Sequence, residues 1–127
     1  MGTFAKSFRE LEVYRTGLDL VLEVHAFSRT LPNDERYCLA DQMRRASRSI
    51  CSSIAEAWRK RRYSAAFVSK LNDAEAEASE MQCWLDVSKL LGYMDKKTYD
   101  KLDERYERII AQIATMSRNP EKWCKIG

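Results

Sequence analysis

Residues 43–62 read MRRASRSICSSIAEAWRKRR, and this stretch carries the clearest helical pattern in the chain. At 100° per residue, an α-helix places its small and apolar side chains within an arc of roughly 80° and most of its arginines within another of roughly 100°. The first arc comprises Met43, Ala46, Ile50, Ile54 and Ala57, and the second Arg44, Arg45, Arg48, Arg59 and Arg62. One face of this helix is therefore expected to be buried and the other to be strongly basic.

The sequence pattern leaves more than one interpretation of the basic face open. Guanidinium groups stay charged and present a planar fork of donors that matches phosphate, which favours a surface that binds nucleic acid. The candidate residues are Arg44, Arg45, Arg48, Arg59, Lys60, Arg61 and Arg62. Arg59 and Arg62 are expected to contact the ligand, because they lie near a helix end, whereas Arg45 and Arg48 are expected to be shared with structural contacts. The alternatives are a solvated surface, or pairing with the acids of the third helix, Glu75, Glu77 and Glu80.

Length and composition fit one globular domain spanning residues 1–127. Charged residues make up 32% of the chain and the net charge is +3, which is too small to indicate nucleic-acid binding without a local cluster. Neither a signal peptide nor a membrane span is expected, which favours a cytoplasmic protein without a membrane partner. The four cysteines, Cys38, Cys51, Cys83 and Cys124, are then expected to be reduced and buried, because their spacing matches neither a disulfide framework nor a zinc site.

Hydrophobic periodicity predicts four helices. Their expected bounds are about 8–30, 33–61, 64–91 and 95–117. The expected capping residues are Asn33, Ser64, Gly92 and Asp95. No alternating pattern predicts a strand, so the expected fold class is all-α, as an up-down-up-down antiparallel four-helix bundle with short loops. In the tail after the fourth helix, Trp123 and Ile126 are expected to dock on the bundle.

The first helix carries two apolar stripes on different sides. The first stripe comprises Leu11, Tyr14, Leu18, Val21 and Leu22, and the second Val13, Leu20, Val24, Phe27 and Leu31. One stripe is enough for a helix in an isolated bundle, so the second predicts a contact with another subunit.

Patterns for catalysis or cofactor binding do not occur in the sequence. The single histidine, His25, lies within the first helix, where a structural role is the more common one. There is no Glu-x-x-His pattern of the di-iron bundles, no glycine-rich phosphate loop and no GxSxG motif. Glu75 and Glu77 point to different sides of a helix, which favours a charged or intersubunit surface over a metal site. We therefore expect a non-enzymatic protein without catalytic residues, metal or cofactor.

The basic helix also resembles a family signature. The run Gln42 to Ile50, followed by Ile54-Ala55-Glu56, is similar to the signature of the four-helix-bundle proteins encoded in intervening sequences of large-subunit ribosomal RNA. Further matches are Phe8 to Tyr14, Leu31-Pro32, Glu35 to Tyr37, and Leu90 to Met94, so that the resemblance spans roughly residues 8–115. Ser53 and Ala57 depart from it, since the family usually has Asn and Gly there. Ala57 favours an unbroken helix that extends through residues 58–62.

The resemblance implies a homopentamer shaped as a short barrel. It also implies similarity to the accessory variability proteins of diversity-generating retroelements, which are pentameric bundles that bind nucleic acid and a reverse transcriptase. The leading hypothesis is a non-enzymatic pentamer that binds RNA or DNA with low sequence specificity, and Tyr37, Trp58 and Tyr63 are candidates either for stacking or for packing. The alternative is a protein-interaction scaffold, such as a reverse-transcriptase accessory subunit.

Overall fold

The computed structural model describes residues 5–124, and in them the chain forms four long helices. These are α1 (Glu12–Ser28), α2 (Leu39–Arg59), α3 (Ser64–Leu90) and α4 (Lys96–Arg118). Short 3₁₀ helices lie at Phe8–Glu10, Asn33–Glu35 and Pro120–Lys122. No strand occurs between residues 5 and 124, so the predicted all-α class with four helices is confirmed.

Side-chain contacts show that α2 and α3 run antiparallel. Midway along the pair, Ser53 Oγ donates a hydrogen bond to Glu77 Oε1 at 2.9 Å. At one end, the hydroxyl of Tyr93, which follows α3, donates to Glu35 Oε2, which precedes α2, at 3.0 Å. The end of α3 therefore lies beside the start of α2, as the short connection between them requires.

Polar contacts also join the first and last helices in antiparallel order. Gln112 Nε2 donates to Glu12 Oε2 at 3.0 Å near the start of α1. Further along α1, Arg105 of α4 forms an ion pair with Glu23. The bundle is thus closed by α4 returning along α1.

The starts of α1 and α2 differ from the prediction. Phe8–Glu10 is a 3₁₀ turn capped by Ser7, and the extended backbone of Leu11 delays α1 to Glu12 instead of residue 8. Asn33–Glu35 is likewise a separate 3₁₀ turn, and non-helical backbone at Cys38 delays α2 to Leu39. The prediction that Asn33 caps the second helix is therefore wrong.

The end of α3 and the start of α4 agree more closely with the sequence prediction. Gly92 adopts a φ of 79°, and the N–H groups of Gly92 and Tyr93 donate to the carbonyls of Lys89 and Ser88, which closes α3 with a Schellman motif. Asp95 Oδ1 accepts a bond from the Thr98 N–H at 2.8 Å and caps α4. The predicted roles of both residues are confirmed, whereas Ser64 is the first residue of α3 and Tyr63 is its cap.

The predicted apolar faces of the last three helices all lie in the core. The buried residues are Met43, Ala46, Ile50, Ile54 and Ala57 of α2, Phe67, Leu71, Ala74, Ala78, Met81 and Leu85 of α3, and Leu102, Tyr106, Ile109, Ile113 and Met116 of α4. After α4, Trp123 packs against this core, whereas Ile126 lies outside the described residues. Burial of one face per helix supplies the main driving force for the bundle.

The second stripe of the first helix enters that core, whereas the first stripe is divided, since Leu11 is buried and Tyr14 packs against the core. Val13, Leu20 and Val24 are buried, but Leu18 is 43% exposed and Leu22 is 71% exposed. Two leucines one turn apart are therefore left on the outside of the single chain. This outward stripe agrees with the prediction that α1 has a second apolar side.

The cysteines do not share one environment, contrary to the expectation that all four are buried. Cys51 and Cys124 are buried, whereas Cys38 and Cys83 are exposed. Cys38 lies in the turn before α2, and Cys83 lies on the side of α3 opposite the core. Burial raises the pKa of the Cys51 thiol to about 11.

We predict that the two exposed thiols react quickly with an aromatic disulfide reagent in the native protein, while Cys51 and Cys124 react slowly. The thiolate is the reactive form, so the raised pKa of Cys51 lowers its reactivity at neutral pH in addition to the barrier of burial. In denaturant without reductant, freshly reduced protein should show four thiols. Fewer than four thiols, or stoichiometric zinc by metal analysis, would contradict the assignment of reduced, metal-free cysteines.

Candidate nucleic-acid interface

The basic residues of α2 do not form one continuous stripe. The helix ends at Arg59, with Lys60 at its C-cap, so Arg61 and Arg62 lie in the turn to α3. The predicted extension of this helix through residue 62 is therefore wrong. Arg48 and Arg59 are separated by about 16 Å along the helix axis, which divides the cations into two groups.

The first group lines a pocket between α1 and α2, which we call the pocket cluster. It consists of His25, Asp41, Arg44, Arg45, Arg48, Ser49 and Ser52 around a cavity of about 500 Å³. The exposed His25 comes from α1 and the other residues come from α2. Sequence reasoning missed His25, Ser49 and Ser52, because helical periodicity does not show which side chains of two helices share a pocket.

The three arginines of the pocket cluster differ in how they are held. Arg44 is half-buried, and its Nε donates to Ser28 Oγ at 2.8 Å. Arg45 lies 3.5 Å from Asp41 in a solvent-exposed ion pair, which is worth little to stability. Arg48 is exposed and takes part in no ion pair among residues 5–124. The structural contact predicted for Arg48 is therefore absent from this part of the single chain, and Arg44 has one instead.

The second group, the turn cluster, lies at the junction of α2 and α3. It consists of Arg59, Lys60, Arg61, Arg62 and Tyr63. Arg59, Lys60, Arg62 and Tyr63 are exposed, and the first three make no ion pair within the described chain. Cations at the C-terminus of a helix also stabilise the helix, because they interact favourably with its dipole. The position of these cations at the end of α2 therefore has a structural reason as well.

Arg61 has a structural role in the turn cluster. Its guanidinium lies 3.5 Å from the centroid of the Trp58 ring, and its Nε donates to the Trp58 carbonyl at 2.8 Å. Burial lowers the pKa of this guanidinium. Arg61 is therefore held against Trp58, and the neighbouring cations are the ones free to meet a ligand.

The three candidate stacking residues are in different situations. Trp58 is only 8% exposed, so packing is its main role. Tyr63 is 67% exposed beside the free cations of the turn cluster. Tyr37 is 80% exposed, but it precedes α2 and lies at the opposite end of that helix from Tyr63. Only Tyr63 combines an open ring with the turn cluster.

The acids of α3 do not neutralise these arginines within the described chain. Glu77 accepts the hydrogen bond from Ser53, and burial raises the pKa of the Glu77 carboxyl. Glu80 accepts a bond from Trp84 Nε1 at 3.1 Å. The ion pair between α2 and α3 has the opposite polarity, since Lys70 of α3 lies 3.0 Å from Glu56 of α2. Within the described chain, the basic residues of α2 therefore form no ion pair with Glu75, Glu77 or Glu80.

The described residues show neither a metal site nor a membrane-spanning helix. No group of three or more His, Cys, Asp or Glu side chains between residues 5 and 124 is placed to hold a metal ion. In the same range, no helix combines the length and apolar character needed to cross a membrane. The two clusters are the candidate surfaces for an anionic ligand, whereas a groove of about 410 Å³ between α1 and α4 is lined mainly by apolar side chains.

Comparisons with known proteins concern mainly the fold. A family model described as "23S rRNA-intervening sequence protein" matches residues 9–115. A solved structure of a protein with unknown function from the S23 ribosomal protein family of Bacteroides thetaiotaomicron is similar, with a TM-score of 0.75 and 23% sequence identity. The similarity covers 84% of this chain and 95% of that one, and at this identity it shows the fold alone. No curated protein matches the chain.

Proposed function

The chain belongs to the 23S rRNA-intervening sequence protein family, and from that premise we propose that it is a non-enzymatic, basic homopentamer that binds RNA or DNA with low sequence specificity in the cytoplasm. The family match gives the fold. The proposal on binding rests on the residues of this chain.

The turn cluster is the observation that carries the proposal. Arg59, Lys60 and Arg62 project from a helix end, and no acid within the described chain pairs with them. Tyr63 adds an exposed ring on which a base can stack. Free cations beside an aromatic ring are typical of surfaces that hold a phosphate backbone without reading its sequence.

Binding of this kind has a direct test in a salt titration. Each phosphate that a cation neutralises releases condensed counterions, so the logarithm of the affinity should fall linearly with the logarithm of salt concentration. Fluorescence anisotropy with labelled single-stranded RNA and DNA of several sequences should give steep slopes and similar affinities. Absence of salt-dependent binding would overturn the proposal.

The outward stripe of α1 supports the oligomeric part of the proposal. Leu18 and Leu22 lie exposed one turn apart, and exposed apolar stripes mark interfaces. In a ring of identical subunits the turn cluster would be repeated around the axis. Five copies of the cluster would strengthen an otherwise modest electrostatic interaction by avidity.

We predict that sedimentation equilibrium gives about five times the 14.8 kDa mass of the chain. The double variant Leu18→Asp/Leu22→Asp should dissociate the assembly, because two charges would have to be buried at the interface. Circular dichroism should show that the helices are retained. Leu90→Asp is a matched control, since Leu90 is 84% exposed and lies at the end of α3. A parent protein that is monomeric at micromolar concentration would contradict the prediction.

A protein-interaction scaffold is the second candidate. The exposed side chains of Leu22, Leu90 and Leu91 favour it, because apolar surface is better suited to a protein partner than to nucleic acid. The partner would have an acidic patch for the basic clusters, and a reverse transcriptase is one partner that this second candidate proposes. Complexes that survive high salt would favour this function over nucleic-acid binding.

A further inference from the structure

The pocket cluster differs from the turn cluster in its shape. It also differs in that a hydrogen bond already holds one of its arginines before any ligand binds. Its cavity of about 500 Å³ lies on α2 and is completed by His25 of α1, whereas the pocket of the turn cluster, lined by Trp58, Arg59, Arg61 and Arg62, has only about 210 Å³. A volume of about 500 Å³ exceeds what a phosphate group fills and leaves room for part of a nucleoside. The pocket is therefore suited to one discrete group rather than to a continuous backbone.

Arg44 is oriented in advance of any ligand. Ser28 Oγ donates to the His25 carbonyl at 2.7 Å and accepts from Arg44 Nε at 2.8 Å. This relay uses one of the five N–H donors of the guanidinium and leaves the others for a second partner. A guanidinium that is already held loses less conformational entropy on binding an anion.

The charge of the pocket cluster suggests which anion it takes. Three guanidinium groups share the pocket with one carboxylate, Asp41, so the arginines and the aspartate together carry two uncompensated positive charges. A terminal phosphate monoester carries close to two negative charges at neutral pH. A phosphodiester inside a strand carries one. Ser49 and Ser52 add hydroxyl groups to the same wall of the cavity.

We propose that the pocket cluster binds a phosphate monoester, namely the terminal phosphate of a nucleic-acid strand. This inference rests on the proposed function, because it makes the pocket cluster the site for a strand end and the turn cluster the site for the backbone. A free nucleoside monophosphate carries the same group, so the experiment includes it separately.

The test compares two 3′-labelled single strands that differ only in a 5′-phosphate or a 5′-hydroxyl. By anisotropy, the parent protein should bind the phosphorylated strand about tenfold more tightly. Arg48→Ala should remove that preference, so that both strands bind with equal affinity, and it should leave the fold intact because Arg48 is exposed. Arg108→Ala, an exposed arginine of α4, is the matched control and should keep the preference.

The outcomes separate the two proposals. Equal binding of both strands by the parent, with salt dependence intact, overturns the monoester site and leaves the proposed function standing. If neither strand binds, the proposed function and the strand-end source both fail. Calorimetric titration with a nucleoside 5′-monophosphate then decides the pocket. Binding that Arg48→Ala removes supports monoester recognition, and absence of binding overturns it.

Discussion

The double variant Arg59→Glu/Arg62→Glu is expected to lose about a hundredfold or more in affinity for RNA and DNA while keeping its fold and assembly. Both arginines are exposed and lie outside the core, so the variant replaces attraction of phosphates by repulsion without a packing defect. In a pentamer the change would be repeated in every subunit. Anisotropy across a salt series measures the loss, and sedimentation and circular dichroism check that the protein is otherwise unchanged.

The matched control for this variant is Lys96→Glu/Lys97→Glu. It reverses the same number of charges at the start of α4, which lies at the opposite end of the bundle from the turn cluster. It should bind nearly as the parent does, apart from the small effect of net charge. If both variants lose affinity equally, the binding depends only on net charge. If the Arg59/Arg62 variant binds as the parent does, the turn cluster has a structural role, and the scaffold function becomes the favoured one.

Ile50→Ala is expected to destabilise the protein by about 2–5 kcal/mol. The Ile50 side chain is fully buried at the middle of α2, the helix that packs against both α1 and α3. Its truncation loses buried apolar surface and leaves a cavity that the close-packed core only partly fills. Chemical denaturation followed by circular dichroism, at one fixed protein concentration, gives the change in free energy of unfolding.

Leu90→Ala provides the comparison for Ile50→Ala. It also truncates a large aliphatic side chain within a helix, but Leu90 is 84% exposed, so the expected loss is below about 0.5 kcal/mol. A loss below about 1 kcal/mol for Ile50→Ala would place that residue at a surface. It would also contradict the orientation of α2 on which both basic clusters depend.

The local sequence pattern was sufficient to predict buried positions and helix caps, because these depend on one helix alone. The spacing of Ile50 and Ile54 follows from 3.6 residues per turn, and both are buried as expected. Gly92 and Asp95 act through bonds to residues within a few positions of themselves. These features need no knowledge of the neighbouring helices, which explains why the sequence was enough to predict them.

Packing between helices decided the features that the pattern missed. A β-carbon at Gly17 would lie 3.0 Å from Cys51 Sγ, so this glycine lets α1 approach α2 closely, although nothing in the periodicity of α1 marks it. Residues 33–38 have helix-compatible local signals, yet the chain turns there, and Glu35 bonds to Tyr93 far along the sequence. Such contacts join residues distant in sequence, and a local pattern holds no information about them.

The sequence by itself determined the all-α class, the three core faces of α2, α3 and α4, and the basic character of α2, because these depend on composition and on the helical repeat within one segment. Only the tertiary structure decided that α2 ends at Arg59, that His25 of α1 shares a pocket with Arg44 and Arg48, and that the α3 acids bond elsewhere in the described chain. The physical reason is that a ligand surface is a juxtaposition of side chains from different elements. That juxtaposition is set by how the helices pack against one another.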